Sequence, residues 1–412
     1  MITILHSADW HLGQTFFGYD RVNEHRHFLF WLKQPLVEQE IDVLLVSGDV
    51  FDVANPSAQS QKQFYQFIQE VTLLIPHLQI VIIAGNHDSP SRLEAPLPIL
   101  QDRKVTIKGV VKKLEGVIDY SDLIVPLVDR DNQIAAYCLA VPFLRQGDYP
   151  RVEADNPYAA GVRLFYETLI DQANRLRSSK QGLVAMGHLQ AIGSEIAERD
   201  HSEKTIIGGL ECVSPDLFSD INYAALGHIH KAQRLSKQEH IRYSGSPLPM
   251  SFAEKHYKHG VVKVVIDQGI TQSIEKIEYQ PLASLISVPS KGSLPPLEVL
   301  DKLGDLPTFT GEEGVLPYLE IKVDIKEPEP MFQQRVSEAL EGKAVRLTRI
   351  VNEYRLSRQF AKDKIITRGL DEFKPLDIVK ETFKDRYDED LPDSLEKLFM
   401  EVYSGIHNKE EE

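Results

Sequence analysis

Five short runs in this 412-residue chain collect side chains that hold metal cations: Asp9-Trp10-His11, Gly48-Asp49, Gly85-Asn86-His87-Asp88, Gly187-His188 and Gly227-His228-Ile229-His230. Carboxylate, imidazole and amide oxygen together suit a borderline first-row ion. Mn²⁺ fits best, with Fe or Zn as alternatives. Seven candidate ligands are too many for one tetrahedral ion and suit two divalent ions sharing a carboxylate, with Asp49 as the natural bridge. Two ions about 3.5–4 Å apart clamp a phosphodiester, lower the pKa of a bound water and stabilise the attacking and leaving oxygens. Asp9 and His11, like His228 and His230, sit two apart, so in extended chain each pair faces one way. A glycine precedes the ligand in four of the five motifs and lets the backbone turn and approach closely.

Each motif alone has an ordinary reading. Asp-x-His is usually a turn or cap, Gly-Asp after a strand a turn, and Asn-His-Asp a loop. Co-occurrence changes the weighing. The five motifs follow one another at strand ends and use 5 of the 14 histidines. His6 reads as a core residue or a supporter of the site. Asp52 could orient a ligand or cap a turn or helix. Trp10, between two candidate ligands, reads as packing rather than base stacking. Ser244-Gly245-Ser246-Pro247 is a tight turn that could offer N–H groups to a phosphate but more simply just turns.

These residues must be carried by alternating strands and helices. Strands are expected over 2–6, 41–47, 79–84, 105–111, 123–128, 134–141, 182–187, 222–227, 240–243 and 260–266, with helices over 22–39, 57–74 and 157–177. The opening β-α-β-α-β order predicts parallel strands with helical crossovers, and ligands in open α/β folds gather at the carboxyl ends of such strands. Residues 1–280 read as one α/β unit with two sheets. Pro281, Pro289, Pro295 and Pro296, with Ser and Gly between them, read as linker chemistry over 281–296. A strand over 318–325, a helix over 330–341 and a strand over 344–351 predict a small β-α-β-like domain in 281–360. The tail, 361–412, is acidic from Asp371 to Glu412, with amphipathic helical patterns over 376–383 and 394–403. It reads equally as a docking element or as helices folded back on their own domain.

The net charge of −15 argues against holding nucleic acid by bulk positive charge, though metal ions or a partner can supply it locally. Two distant cysteines, Cys138 and Cys212, fit a reduced cytoplasm. No run of 18 apolar residues predicts a membrane span, and the N-terminus does not read as a signal peptide.

The order DxH, GDxxD, GNHD, GH, GHxH is similar to that of the calcineurin-like metallophosphoesterases. The longer runs HSADWHLGQ (6–14), SGDVFD (47–52), AGNHDS (84–89), ALGHIHKAQ (225–233) and YSGSPLPMSF (243–252) resemble the SbcD family of bacterial nuclease subunits within them. The likeness is specific through about residue 270 and architectural beyond it. It implies a two-sheet metallophosphoesterase sandwich flanked by helices, a small α+β capping domain and a helical tail. One ion would be held by Asp9, His11, Asp49 and His230, the other by Asp49, Asn86, His188 and His228. His87 would act on the scissile phosphate and leaving oxygen, and Asp88 would orient His87. Some archaeal relatives have a histidine in place of Asp52, so that position's role is not carried over. The implied activity is metal-dependent DNA cleavage, exonucleolytic at double-strand ends and endonucleolytic at hairpins, in DNA repair, recombination and replication. The implied partners are an SbcC-type coiled-coil ATPase docked on 361–412 and a second copy contacted through 22–39 or 57–74, giving a homodimer within a heterotetramer. No GxxxxGK[ST] occurs, so the ATPase must be another chain. The competing expectations are a phosphomonoesterase or small-molecule phosphodiesterase with the same ions, and a scaffold that has lost its metals.

Overall fold

The computed structural model describes residues 1–100, 103–196, 212–311, 314–325 and 329–352, and scattered positions between 376 and 399. Continuous apolar runs give strands buried on both faces. The first sheet has the order β12-β11-β1-β2-β3-β4, from β1 (Ile2–Ser7), β2 (Val43–Ser47), β3 (Gln79–Ile83), β4 (Val105–Lys108), β11 (Gly260–Asp267) and β12 (Ile270–Glu278). The second has the order β9-β10-β8-β7-β6-β5, from β5 (Ile124–Val128), β6 (Ile134–Ala140), β7 (Gly182–His188), β8 (Tyr223–Gly227), β9 (Gln233–Leu235) and β10 (Gln238–Tyr243). Strands β1 to β4 run parallel, as do β6, β7, β8 and β10. Two parallel cores therefore carry the motifs; antiparallel strands flank the second on both sides and the first beyond β1, while parallel β4 is the first sheet's other edge.

The period-2 alternation of side chains divides each strand between two cores. Ile4, Val43, Leu45, Val81 and Ile83 meet Val184, Met186, Tyr223 and Ala225 in one apolar layer between the sheets. The alternate residues Leu44, Val46, Ile80 and Ile82 pack outward with side chains of α1 (Val22–Glu38) and α2 (Ala58–Leu74). Leu183 and Ala185 pack with α3 (Pro157–Leu176). Ser57 caps α2 as an N-cap serine should, accepting from Ser60 N–H. The structure is thus a two-sheet sandwich flanked by helices.

The expected linker over 281–296 holds structure of its own. Strand β13 (Leu285–Val288) pairs with β14 (Tyr318–Val323), which pairs with β15 (Arg346–Asn352), all parallel. Helices α4 (Pro296–Gly304) and α5 (Phe332–Ala339) make the crossovers. Pro281 precedes β13, Pro289 follows its last residue, and Pro295 and Pro296 start α4, where a missing N–H costs little.

Residues Met1–Val323 and Glu327–Asn352 form one compact unit. The expected tail helices over 376–383 and 394–403 fall largely outside the described residues. Leu376, Lys380, Phe383 and Lys384 are helical, as are Leu395, Glu396 and Phe399, and Lys380 pairs with Glu396 at 2.6 Å.

Candidate metal centre

Main-chain pairing that runs past the strand ends builds the site. Asp9 N–H donates to Gly48 O, His11 N–H to Asp49 O and Leu12 N–H to Val50 O, each at 3.0 Å, so the loop after β1 lies along the loop after β2. The two loops are not extended. Asp9, His11 and Asp49 have φ of 55°, 45° and 48°, and His228, after β8, has 98°. Left-handed backbone at non-glycine residues costs about 1–3 kcal/mol each and gathers at functional sites. The expectation that alternation in extended chain brings Asp9 and His11 together is therefore corrected: left-handed backbone turns them. Trp10 packs edge-on against Phe28, Phe64 and Phe67 and donates to Ser7 Oγ at 2.8 Å.

The glycines serve close approach. A Cβ on Gly85 would collide with Asp49 Oδ1, and one on Gly227 with the Ser47 carbonyl.

All seven candidate ligands converge. Ligand atoms of Asp9, His11 and His230 lie within 4.8 Å of one another, and so do those of Asp49, His188 and His228. Asn86 Oδ1 lies 2.9 Å from His188 Nε2 and 3.0 Å from His228 Nδ1. Asp49 Oδ2 stands between the groups, 3.6 Å from His11 Nε2 and 3.3 Å from His188 Nε2.

The donor set fits two cations. Asp9 Oδ2 and both His11 ring nitrogens are buried without a hydrogen-bond partner among the described residues. Each such orphan costs about 1–3 kcal/mol unless something charged satisfies it. Burial raises the Asp9 carboxyl above its ordinary value against the pull of His188 and His230. Burial works against the Asp49 charge too, yet His188, His11 and His87 hold its carboxyl well below the usual range. Burial lowers His188, but the charge and hydrogen bond of Asp49, then Asp9 and the Ser47 carbonyl, outweigh it and raise the imidazole to about 9. Burial and the neighbouring His188 lower His228 to about 3. A cation held by His188 would compete with the proton on that imidazole.

Acceptors behind the imidazoles set their tautomers. The Ser47 carbonyl, 2.9 Å from His188 Nδ1, can only accept, which places a proton on Nδ1 and leaves Nε2 as the nitrogen that could ligate a metal. Glu254 Oε1, on a fully buried side chain, stands 3.2 Å from His230 Nδ1. Asp52 Oδ1 stands 3.3 Å from His11 Nδ1, within ion-pair distance but without hydrogen-bonding geometry, so it does not fix that ring's tautomer. Glu254 was missed at the sequence level, because nothing in Phe252-Ala253-Glu254 marks it.

One expected role is corrected. Asp88 does not orient the His87 ring. Its carboxylate accepts from the N–H groups of Gly85 (2.8 Å), Val50 (3.1 Å) and Phe51 (2.9 Å), tying together the two loops that carry the candidate ligands Asp49 and Asn86. Burial and the Asp49 charge raise it to about 6, against those three N–H groups. Its oxygens are taken up by main-chain donors, so the His87 ring is held elsewhere: its Nδ1 lies 2.7 Å from the Asp52 carbonyl. The His87 main-chain N–H donates to Asp49 Oδ1 at 2.9 Å.

Residues 2–232 match the calcineurin-like phosphoesterase family model, more than half of the chain. The SbcD subunit of the nuclease SbcCD from Rhodobacter capsulatus is 36% identical over 353 residues, covering 84% of this chain and 85% of that protein. The chain belongs to the calcineurin-like phosphoesterase family, with the SbcD subunits of SbcCD nucleases. The Escherichia coli K12 SbcD protein is 31% identical over 293 residues, 68% of this chain and 70% of that one, and the Bacillus subtilis SbcD protein 31% over 273 residues, 65% and 66%. Residues 279–389 of this phosphoesterase match a type 5 capsule protein repressor C-terminal domain. The family and the clustered ligands together make it a divalent-metal protein.

Proposed function

We propose that this chain is the nuclease subunit of an SbcCD-type complex, cleaving DNA phosphodiesters with two Mn²⁺ ions. Asp9, His11, Asp49 and His230 would hold one ion, and Asp49, Asn86, His188 and His228 the other. When bound, such ions supply Lewis acidity at the phosphodiester and an acidified water. The observation that carries the reading is Asp49 Oδ2 within 3.6 Å of both His11 and His188, ligands of separate clusters.

The chain's own residues do the rest. The Asp52 carbonyl keeps the His87 proton on Nδ1, so Nε2–H exists only in the imidazolium, which can donate to the leaving oxygen. Asp88 holds the loops that carry Asp49 and Asn86 in register. The proposed organisation is a nuclease domain over 1–280, a capping domain over 281–360 and an ATPase-docking tail over 361–412. Phe30 on α1 is 72% exposed, the kind of apolar surface that a second copy would cover in a homodimer within a heterotetramer. No described helix is long and apolar enough to cross a membrane. The buried Cys138 thiol, held in no disulfide, favours a cytoplasmic setting.

The test is cleavage by the purified full chain with Mn²⁺, offered hairpin DNA, linear duplex and a small chromogenic phosphodiester. DNA should be cleaved weakly by the chain alone and faster with an SbcC-type ATPase and ATP. Turnover of the small ester alone, with DNA untouched under both conditions, would overturn the reading.

A further inference from the structure

The two ion positions are supported differently. Behind His188 stands the Ser47 carbonyl, in the middle of the sandwich. Behind His230 stands Glu254, on a single turn, Phe252–Glu254, capped by Ser251. That turn is gripped by the three-stranded sheet. Phe252 packs with Phe16 and Tyr318 in a small buried cluster. Arg349 of β15 lies over the rings of Phe252 and Phe17, 5.5 and 5.2 Å from their centroids. Lys255, next to Glu254, donates to Ser287 Oγ of β13 at 3.0 Å, and Ser287 donates to the buried Glu320 of β14 at 3.0 Å. Arg349 Nε closes the set on Glu320 at 2.7 Å.

A second contact from the same sheet reaches the same ion position. The Tyr318 hydroxyl donates to Glu24 Oε1 at 2.5 Å. Glu24 Oε2 holds the fully buried Arg21 at 2.9 Å, and Arg21 Nη1 donates to Gln14 (2.7 Å), three residues past His11, and to Pro249 O (2.8 Å), next to Met250, whose N–H donates to Glu254 Oε2 at 2.8 Å. Both routes reach Glu254 behind His230, and the second also reaches Gln14, whose main-chain N–H donates to His11 O at 3.0 Å.

We propose that Glu254 is a positioning residue for His230, and that the three-stranded sheet holds it, so that this sheet governs occupancy of the Asp9/His11/His230 position and leaves the Asn86/His188/His228 position alone. A carboxylate behind a metal-bound imidazole fixes the ring and raises its basicity, and its loss costs about 10–100-fold in metal affinity. The proposal rests on the two-ion reading of the site.

Mn²⁺ titration of the metal-free full chain by calorimetry and electron paramagnetic resonance tests it without turnover. Two ions binding to the unaltered chain, with a spin-coupled signal, uphold the two-ion reading; a single ion would sink that reading and this proposal with it. Given two ions, Glu254→Gln should weaken one position at least tenfold, abolish the spin-coupled signal at intermediate Mn²⁺ and leave the other affinity unchanged. Arg349→Met, remote from every ligand, should weaken the same position several-fold. Unchanged affinities in both variants overturn the proposal while two-ion binding stands, and so does equal weakening of both positions. If Glu254→Gln does not fold, the Arg349→Met titration decides by the same criteria.

Discussion

His87 offers the sharpest separation of chemistry from architecture. Replacing it with alanine removes one side-chain hydrogen bond, Nδ1–H to the Asp52 carbonyl. The ring is only half-buried and the freed carbonyl can find water, so the stability cost is about 1 kcal/mol. The anchor on Asp49 is the main-chain N–H of residue 87, which alanine keeps. Two Mn²⁺ should therefore stay bound with nearly unchanged affinity. Loss of a positioned acid costs about 10²–10⁴-fold in rate, or about 2.7–5.5 kcal/mol at 1.36 kcal/mol per decade. The loss should fall on DNA, whose alkoxide leaving group needs a proton, and much less on a p-nitrophenyl phosphodiester, whose leaving group does not. The assay pairs metal content by mass spectrometry with kcat on both substrates. Loss of metal in proportion to activity would refute the acid role and make His87 a ligand. Equal losses on both esters would refute proton donation.

Three further outcomes follow from the packing. Gly227→Ala drives a methyl onto the Ser47 carbonyl, the acceptor that orients His188, so it should lose about 1–3 kcal/mol and metal affinity together; a wild-type Tm with two ions bound would contradict the close-approach account. Burial, then the charges of Arg21 and His11, lowers His25 to about 3, so below its ordinary 6.5 the unfolded chain takes a proton that the folded chain refuses, and stability is lost progressively from pH 6.5 towards 3 at up to about 1.4 kcal/mol per pH unit. In His25→Leu, urea titrations of metal-free protein at pH 6.5 and 5 should show about 1.6 kcal/mol less acid loss than wild type; identical slopes would show that His25 is not buried neutral. Deleting 371–412 should abolish co-purification with the SbcC-type ATPase and spare hydrolysis of the small phosphodiester; continued co-purification would end the docking reading.

Much of this molecule was legible in the chain itself. Runs such as IDVLLVS and QIVIIA, apolar at nearly every position, read as strands covered on both faces, and the motifs after them mark the carboxyl ends where ligands gather. The candidate ligands could be named for the same reason: a carboxylate, an amide and imidazoles at successive strand ends have few other joint uses. The linker expected over 281–296 misled because proline bounds elements as readily as it separates domains, and β13 lies between two prolines.

What tertiary structure alone decided are the partners of those ligands. Asp88 neighbours His87 in the chain yet grips Val50 and Phe51, whereas the His87 ring is held from residue 52 and His230 from Glu254, 24 positions on. Ligand identity is a property of single side chains and survives in a string of letters. Orientation comes from contacts between residues far apart in the chain, and those exist only once two sheets, with left-handed backbone at Asp9, His11 and Asp49, have brought the loops within hydrogen-bonding distance.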